Sequence, residues 1–490
     1  MNLYKKEYFK TNTFLVIQFI FFSSVTFVLF FSNLSNYFLA DDFWYLLKIS
    51  KRSWFFAISQ FYSHFDPLPV VLNKIIFTMW KFSPVPYRAL LYLLHSLLCV
   101  VVFMVSVKLF ELFSKDQDKN FVFIKSLLCS GIFSIMYIHT ENILYINGHH
   151  EVLFSLFFLI ALYFYLAYKQ NGAIKNKLWL IIFFIFALCS KENTMVFLLL
   201  IISVEVFFFK TKLMSFFKNY YALPVISVGY LILRIILYDE QRLGLLYSTK
   251  ISDIIIESIK NIFFTFTAFI FSLNFIQIKD IFREHQSNFI YSLDALIKLY
   301  PAAVLVIILT IAIYILIFIK RNKLINFGFL FIFITIVPFM WLAGYERYLY
   351  LPSFGFVLLA GETFGNLLKS DFYKYFAVIL LSFFFIYNIY CIMEKKENYT
   401  KASEIALNGV NEIVRVSAVL PLNSDVYFRN LPDNYNGAWI FRDGVQYFPE
   451  LYLNRIDLKF NKIYEDDIYT NEYQNVFVFN YDNGILKLEK

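Results

Sequence analysis

The chain has 490 residues, 59% of them hydrophobic and only 16% charged, with a formal net charge of +8 and a mean hydropathy of +0.61. A water-soluble globular protein of this size has no means of covering so much apolar surface, so the composition excludes that class and leaves an integral membrane protein. The basic excess does not point to nucleic acid, because Lys and Arg sit mostly in short loops between apolar stretches.

Segments of about 18 apolar residues or more can cross a hydrocarbon core of roughly 30 Å. The first, residues 13–34, lies near the N-terminus without a small-residue cleavage site and reads as a retained helix. Asp41 and Asp42 follow it at the start of a long loop, residues 39–86. In that loop Trp54, Ile58, Phe61 and Phe65 recur at helical spacing, with Ser53, Gln60 and Ser63 between them. This is the pattern of a helix lying in the membrane interface, either as an anchor or as the wall of a site open to lipid. Further spans are predicted at 87–110, 121–139, 152–168, 178–190, 194–209, 220–238, 299–319, 324–342, 353–368 and 372–393, about eleven in all. Cys99, Cys129, Cys189 and Cys391 all fall in hydrophobic stretches without metal-ligand spacing.

Orientation follows from the short connections. Lys5, Lys6 and Lys10 precede the first span, and the connections 108–125, 169–177, 210–218, 320–323 and 369–374 are also rich in Lys and Arg. The alternate connections are poor: 140–151 has none, 191–193 has only Lys191 and 343–352 only Arg347. The rich set is expected in the cytoplasm, which places the Asp41–Asp42 loop, the segment 239–298 and the tail 394–490 outside. Residues 253–278 are nearly apolar enough to cross; Glu257 and Lys260 interrupt them, and a surface-lying or re-entrant helix keeps the basic loops consistent.

Charged groups near a bilayer are costly and usually mark function or pairing. On the expected outer face they gather from several places: Asp41, Asp42, His64, Asp66, His139, Glu141, His149, His150, Glu151, Lys191, Glu192, Arg234, Glu346 and Arg347. Such a set suits an anionic headgroup held by Lys or Arg beside a carboxylate base. Each has a plainer reading. Lys191 and Glu192 can pair locally to cap a turn, and Arg234 can extend to the surface. His149, His150 and Glu151 can ligate a metal, but adjacent histidines point to different sides of a helix or strand. His95 reads as a packed, hydrogen-bonded histidine, and Glu205 is expected to pair with Lys210. Asp116-Gln117-Asp118 has the Asp-x-Asp form of a metal motif, but in a short Lys-flanked loop it reads as a solvated turn.

Four stretches in order resemble one family. They are Asp41-Asp42; YLLHSLLCVVVF (92–103); NGHHEVLFSLFFLIALYFY (147–165) with SKENTMVFLLL (190–200); and ERYLYLPSFGF (346–356), the most specific. Together they resemble the GT-C glycosyltransferases, and within them the transmembrane O-mannosyltransferases that carry tetratricopeptide repeats and their bacterial relatives. The resemblance covers roughly the first 370 residues. It implies an all-α, polytopic GT-C-like domain over 1–393 and inverting transfer of a sugar from a polyprenyl-phosphate donor to an acceptor hydroxyl, outside a bacterial inner membrane. It also implies Asp41 as the base, Asp42 as its orienter or a ligand of acceptor hydroxyls, and Arg347, Arg234 and Lys191 as stabilisers of the leaving phosphate. His64, Glu151, Glu192, Glu346 and Tyr348 complete the candidate binding set. The acceptor can be protein, lipid or glycan. No cofactor is required; a divalent metal is possible but not indicated. A lipid-linked glycan polymerase or ligase, and a non-enzymatic sugar-lipid flippase, remain the alternatives.

Two departures matter. The family often has Arg-Pro in the first loop, where this chain has Asp66-Pro67. The tail shows no 34-residue helical repeat; a charged helical stretch at 395–418 gives way to Tyr-, Phe- and Val-rich strands. Residues 394–490 therefore read as a small α+β domain serving as a lid, a packing unit or an acceptor-recognition unit, and NLPDNYNGAWIFRDG (430–444) resembles the tails of bacterial relatives.

Overall fold

The computed structural model describes residues 12–51, 53–54, 66–113, 118–237, 251–272, 310–311, 313–315, 317, 322–340, 346–463, 475–482 and 484–489. His64 and most of the amphipathic stretch of the first loop lie outside these residues, as do Asp116 and Gln117. Asp118 is described and caps the following helix, its carboxylate accepting from the Asn120 N–H at 2.9 Å.

Helices dominate. In chain order they are α1 (Asn12–Phe30), α2 (Asp41–Lys51), α3 (Pro67–Trp80), α4 (Pro84–Phe113), α5 (Lys119–Ser134), α6 (Thr140–Leu144), α7 (His149–Asn171), α8 (Ile174–Leu188), α9 (Val196–Phe207), α10 (Leu213–Tyr220), α11 (Ala222–Leu237), α12 (Ile251–Ala268), α13 (Lys323–Ile336), α14 (Ser353–Lys369) and α15 (Lys374–Ser417). Among the described residues four helices are long and apolar enough to cross a membrane: Thr13–Asn33, Pro84–Phe113, Ile146–Asn171 and Lys374–Ser417. The number rises to six if two bent pairs, 119–134 with 137–144 and 213–220 with 222–236, are each one span. The sequence count of about eleven is not reached among these residues. Helices α8, α9 and α13 have 15, 12 and 14 residues, short of a full crossing, α14 with 17 is at the lower limit, and 299–309 is not described.

Burial ranks the helices. The apolar stretches of α4 and α7 are largely inside the protein, while α1 and α15 leave most of theirs on its surface. Val16, Ile20 and Phe21 of α1 and Phe376, Ile379 and Phe383 of α15 are exposed, the distribution expected of helices that face lipid. The second half of α12 is packed inward: Asn261 donates to the Met340 carbonyl at 2.7 Å, and Phe269, just past the helix end, stacks on Phe356.

Two features position the functional end. The chain between α5 and α7 folds back into the protein: His139, Thr140, Glu141 and Asn142 are buried, although the sequence places them in an outer loop. Several of its polar groups find partners, while His139 Nδ1, Thr140 Oγ1, Glu141 Oε1 and Asn142 Oδ1 are buried without one among the described residues. The Tyr137 N–H donates to Asn388 Oδ1 (3.0 Å), Asn142 Nδ2 donates to the Arg347 carbonyl (3.0 Å), and His139 Nε2 meets Ser353 Oγ (2.9 Å). The other feature is α15, whose 44 residues make a rod about 66 Å long at 1.5 Å per residue. It runs unbroken through residue 393 from an apolar half into a polar one, where Ala402, Ala406, Val410 and Ile413 form a buried stripe facing the C-terminal unit.

That unit is a small α+β assembly. Strands β1 (Asp425–Arg429), β4 (Lys459–Ile463), β5 (Val476–Asp482) and β6 (Ile485–Leu488) form one sheet in the order β4-β1-β5-β6, with β1 parallel to both neighbours and β5–β6 an antiparallel hairpin. Strands β2 (Asn434–Tyr435) and β3 (Ala438–Trp439) pair separately. Phe428 packs between Phe460 and Phe479 to form the core.

Candidate active site

The site starts at α2. Two acidic residues in its first turn face the positive end of the helix dipole, and the turn separates their roles. The Asp42 carboxylate points inward and is 1% exposed. Its Oδ2 accepts from the Leu39 N–H (3.1 Å) and its Oδ1 from the Asn147 N–H (3.0 Å), which ties α2 to the turn before α7. Burial pushes this carboxyl up to about 7, against the opposing pull of those N–H groups and of Arg88. The Asp41 side chain points outward and is 32% exposed. Its backbone N–H donates to Tyr145 Oη at 2.7 Å. Its Oδ2 lies 3.5 Å from Nη1 of Arg347 and 3.5 Å from Nη1 of Arg442.

Arg347 is held from several sides. Its backbone N–H donates to Glu141 Oε2 (3.1 Å), and its guanidinium lies over the rings of Tyr145 and Tyr348. Tyr348 stacks on Phe339, with ring centres 4.4 Å apart. The Lys191 ammonium sits 4.9 Å above Tyr348 and 5.1 Å above Phe339 and pairs with Glu151. The rings of Tyr348 and Phe339 thus form a bridge from the Asp41–Arg347 pair to the Lys191–Glu151 pair.

Lys191 and Glu192 do not pair with each other. Lys191 turns to Glu151, and Glu192 turns to Arg234 at 3.7 Å. The extended backbone of Lys191, followed by a 3-10 turn, sends the two side chains apart. Glu346 pairs with Lys395 of α15, and burial pushes its carboxyl up to about 7. His150 Nδ1 meets Asp66 Oδ2 (3.0 Å), whose other oxygen accepts from Lys48 (3.3 Å). Asp66, which precedes Pro67, is therefore a buried acceptor. His149 donates its Nδ1–H to the Ile146 carbonyl (2.7 Å) while His150 turns to Asp66, so the adjacent histidines do face apart. Among the described residues no three His, Cys, Asp or Glu side chains are grouped to hold a metal. Away from the site, His95 is buried against Tyr350 Oη (2.6 Å), and Glu205 takes Lys169, Tyr165 and Thr211 rather than the expected Lys210.

Three participants escape the sequence reading. Arg442 comes from the C-terminal unit, and an arginine in a polar tail carries no signal. Lys395 looks like one of many charges on a surface helix. Arg88 is fully buried at the start of α4, where it donates to the carbonyls of Leu144 (3.0 Å), Tyr37 (2.9 Å) and Asn36. It fixes the chain leading into Asp41 against the end of α6. An arginine at the mouth of an apolar span was the available clue.

The fold is similar to that of ArnT from Cupriavidus metallidurans, solved bound to undecaprenyl phosphate, with 11% identity, 93% of this chain and 87% of that chain covered, and a TM-score of 0.46. The chain matches no family model and no curated protein.

Proposed function

We propose that this protein is an integral-membrane inverting glycosyltransferase that moves a sugar from a polyprenyl-phosphate donor to an acceptor hydroxyl on the extracytoplasmic side. The observation that carries the reading is the Asp41–Arg347 pair, which joins the acidic pair to the Glu-Arg-Tyr segment, the first and last of the four stretches that resemble GT-C enzymes. An accessible carboxylate beside two guanidinium groups, at the end of a membrane bundle, supplies the two elements such a transfer needs.

In the reaction the acceptor hydroxyl loses its proton to the Asp41 carboxylate as its oxygen attacks the anomeric carbon. The bond from that carbon to the donor phosphate breaks, and the phosphate leaves with the electron pair. Arg347 and Lys191, linked through the Tyr348 ring, stabilise the charge that grows there. Glu151 and Glu192 hold Lys191 and Arg234, and Asp42 holds the turn that carries Asp41.

The test uses membranes containing the full chain and a panel of labelled undecaprenyl-phosphate monosaccharides. Transfer of label to protein, lipid or glycan, lost in Asp41→Asn, supports the proposal. Movement of the labelled lipid between leaflets without transfer would replace it with a flippase.

A further inference from the structure

Resting on that reading, we infer that Arg442 is a positioning residue for Asp41, so that the C-terminal unit completes the active site rather than merely packing beside it. Arg442 and Arg347 approach the same carboxylate oxygen, Oδ2, each at 3.5 Å, from positions 401 and 306 residues away in the chain. Among the described residues no hydrogen bond engages Oδ1. Two cations on one oxygen fix the rotation of the carboxylate and leave Oδ1 to receive the acceptor's proton.

Independent contacts build this junction. The guanidinium of Arg442 lies 4.5 Å from the Trp439 ring centre, which limits where its fork can point. The Ala40 N–H donates to the Ile440 carbonyl at 2.7 Å, so the residue before Asp41 is tied to the strand-and-turn segment that carries Arg442. A Cβ on Gly444 would stand 2.6 Å from the Ala40 carbonyl oxygen, which leaves room only for glycine. Phe43 packs edge-on to Phe448 at 4.8 Å on the next turn. Both sides of the ion pair have unusual backbone: φ is +42° at Ala40 and +43° at Arg442. Left-handed conformations at non-glycine residues are strained and persist where the surroundings over-determine them, often at functional sites.

The full-length protein in nanodiscs is treated with a water-soluble carbodiimide and glycine ethyl ester, and modified carboxylates are quantified by peptide mass spectrometry. This reads the environment of Asp41 without any substrate. Asp41 should react several-fold faster in Arg442→Met than in the unaltered protein, with Arg442→Lys between them, while Asp433, paired with Lys462, stays unchanged as a control. Equal Asp41 labelling in all three overturns the inference. In the labelled-donor assay, Arg442→Met should lower kcat by about 10²-fold with the donor KM held, the scale of a misplaced catalytic group, and Arg442→Lys should recover part of it. A raised KM with unchanged kcat also overturns it. If the unaltered protein transfers no sugar from any donor, the glycosyltransferase reading falls, and the labelling still decides whether Arg442 holds Asp41. Should Arg442→Met fail to fold, the Arg442→Lys labelling alone decides: no change from the unaltered protein counts against the inference.

Discussion

Asp41 and Arg347 lie 306 positions apart in the chain and 3.5 Å apart in the fold. Arg347 is 14% exposed and Asp41 32%, so the pair sits at a mouth, with the cation behind and the carboxylate in front. Asp41→Asn keeps the shape and the backbone bond to Tyr145 but removes the basic oxygen. Its expected effect is a loss of about 10²–10⁴ in transfer rate with unchanged folding. Near-normal turnover of labelled donor would remove Asp41 as the base.

Arg347→Lys tests the other half. The guanidinium lies over two aromatic rings and reaches a carboxylate, and an ammonium cannot keep all three contacts. The expected outcome is a loss of about 10²-fold or more in kcat, measured in the same assay, with the protein still eluting as a folded species from size exclusion. Retention of kcat would show that Arg347 serves packing alone.

The Lys191–Glu151 pair is buried on both sides, 7% and 5% exposed. Removing one member of such a pair leaves an uncompensated charge and costs about 3–5 kcal/mol, while replacing both is often tolerated. Lys191→Met and Glu151→Leu should each lower the thermal midpoint in detergent, and the double variant should recover most of it. Activity separates structure from chemistry: if Lys191 stabilises the leaving phosphate, the stable double variant stays inactive. Recovery of transfer along with stability would make the pair purely structural.

Asp42 predicts a pH dependence of opposite sign to that of an ion-paired carboxylate. Its carboxyl is pushed from 3.8 to about 7 by burial, so the folded chain holds a proton that the unfolded chain releases. Stability from this group is full below about pH 4 and is lost as the pH rises to about 7, on the order of 4 kcal/mol in total. The thermal midpoint should fall across that window, and the fall should be shallower in Asp42→Asn. An identical slope in both proteins would place the titration elsewhere, with Glu346 the next group to test.

The parts of the site that were legible in the sequence are those where charge is expensive. Asp41, Lys191, Arg234 and Arg347 stand out because an apolar chain keeps few ionisable groups near its spans, and the fold links three of them through Tyr348. The small sheet after residue 420 was legible from its alternating strands and turn residues. What was not legible depends on direction rather than composition. Glu141 stood with the outer-face charges and Asn142 carried no signal, yet the chain turns both inward to bind the backbone N–H and carbonyl of Arg347. Adjacency also offered Lys191 and Glu192 as a local pair beside their functional reading, whereas the extended backbone at Lys191 sends them to different helices. Arg442 was invisible because nothing in a polar tail says which end of a 44-residue helix it will meet.

That inward turn offers a last test. Gly148 closes it just before α7, and a Cβ placed there would lie 2.1 Å from the Asn142 carbonyl oxygen. The clash is with backbone, which cannot swing away as a side chain would. Its own φ is ordinary, so the demand is for space and not for a left-handed conformation. Gly148→Ala should therefore push residues 140–145 away from α7, weaken the Asp42–Asn147 and Asn142–Arg347 hydrogen bonds together, and lower both the thermal midpoint and activity. Gly131 lies in α5, and a methyl group added there would meet nothing within 4 Å, so Gly131→Ala should be neutral or slightly stabilising. Equal behaviour of the two alanine variants would show that the turn is not the rigid support that holds Asp41 and Arg347 in register.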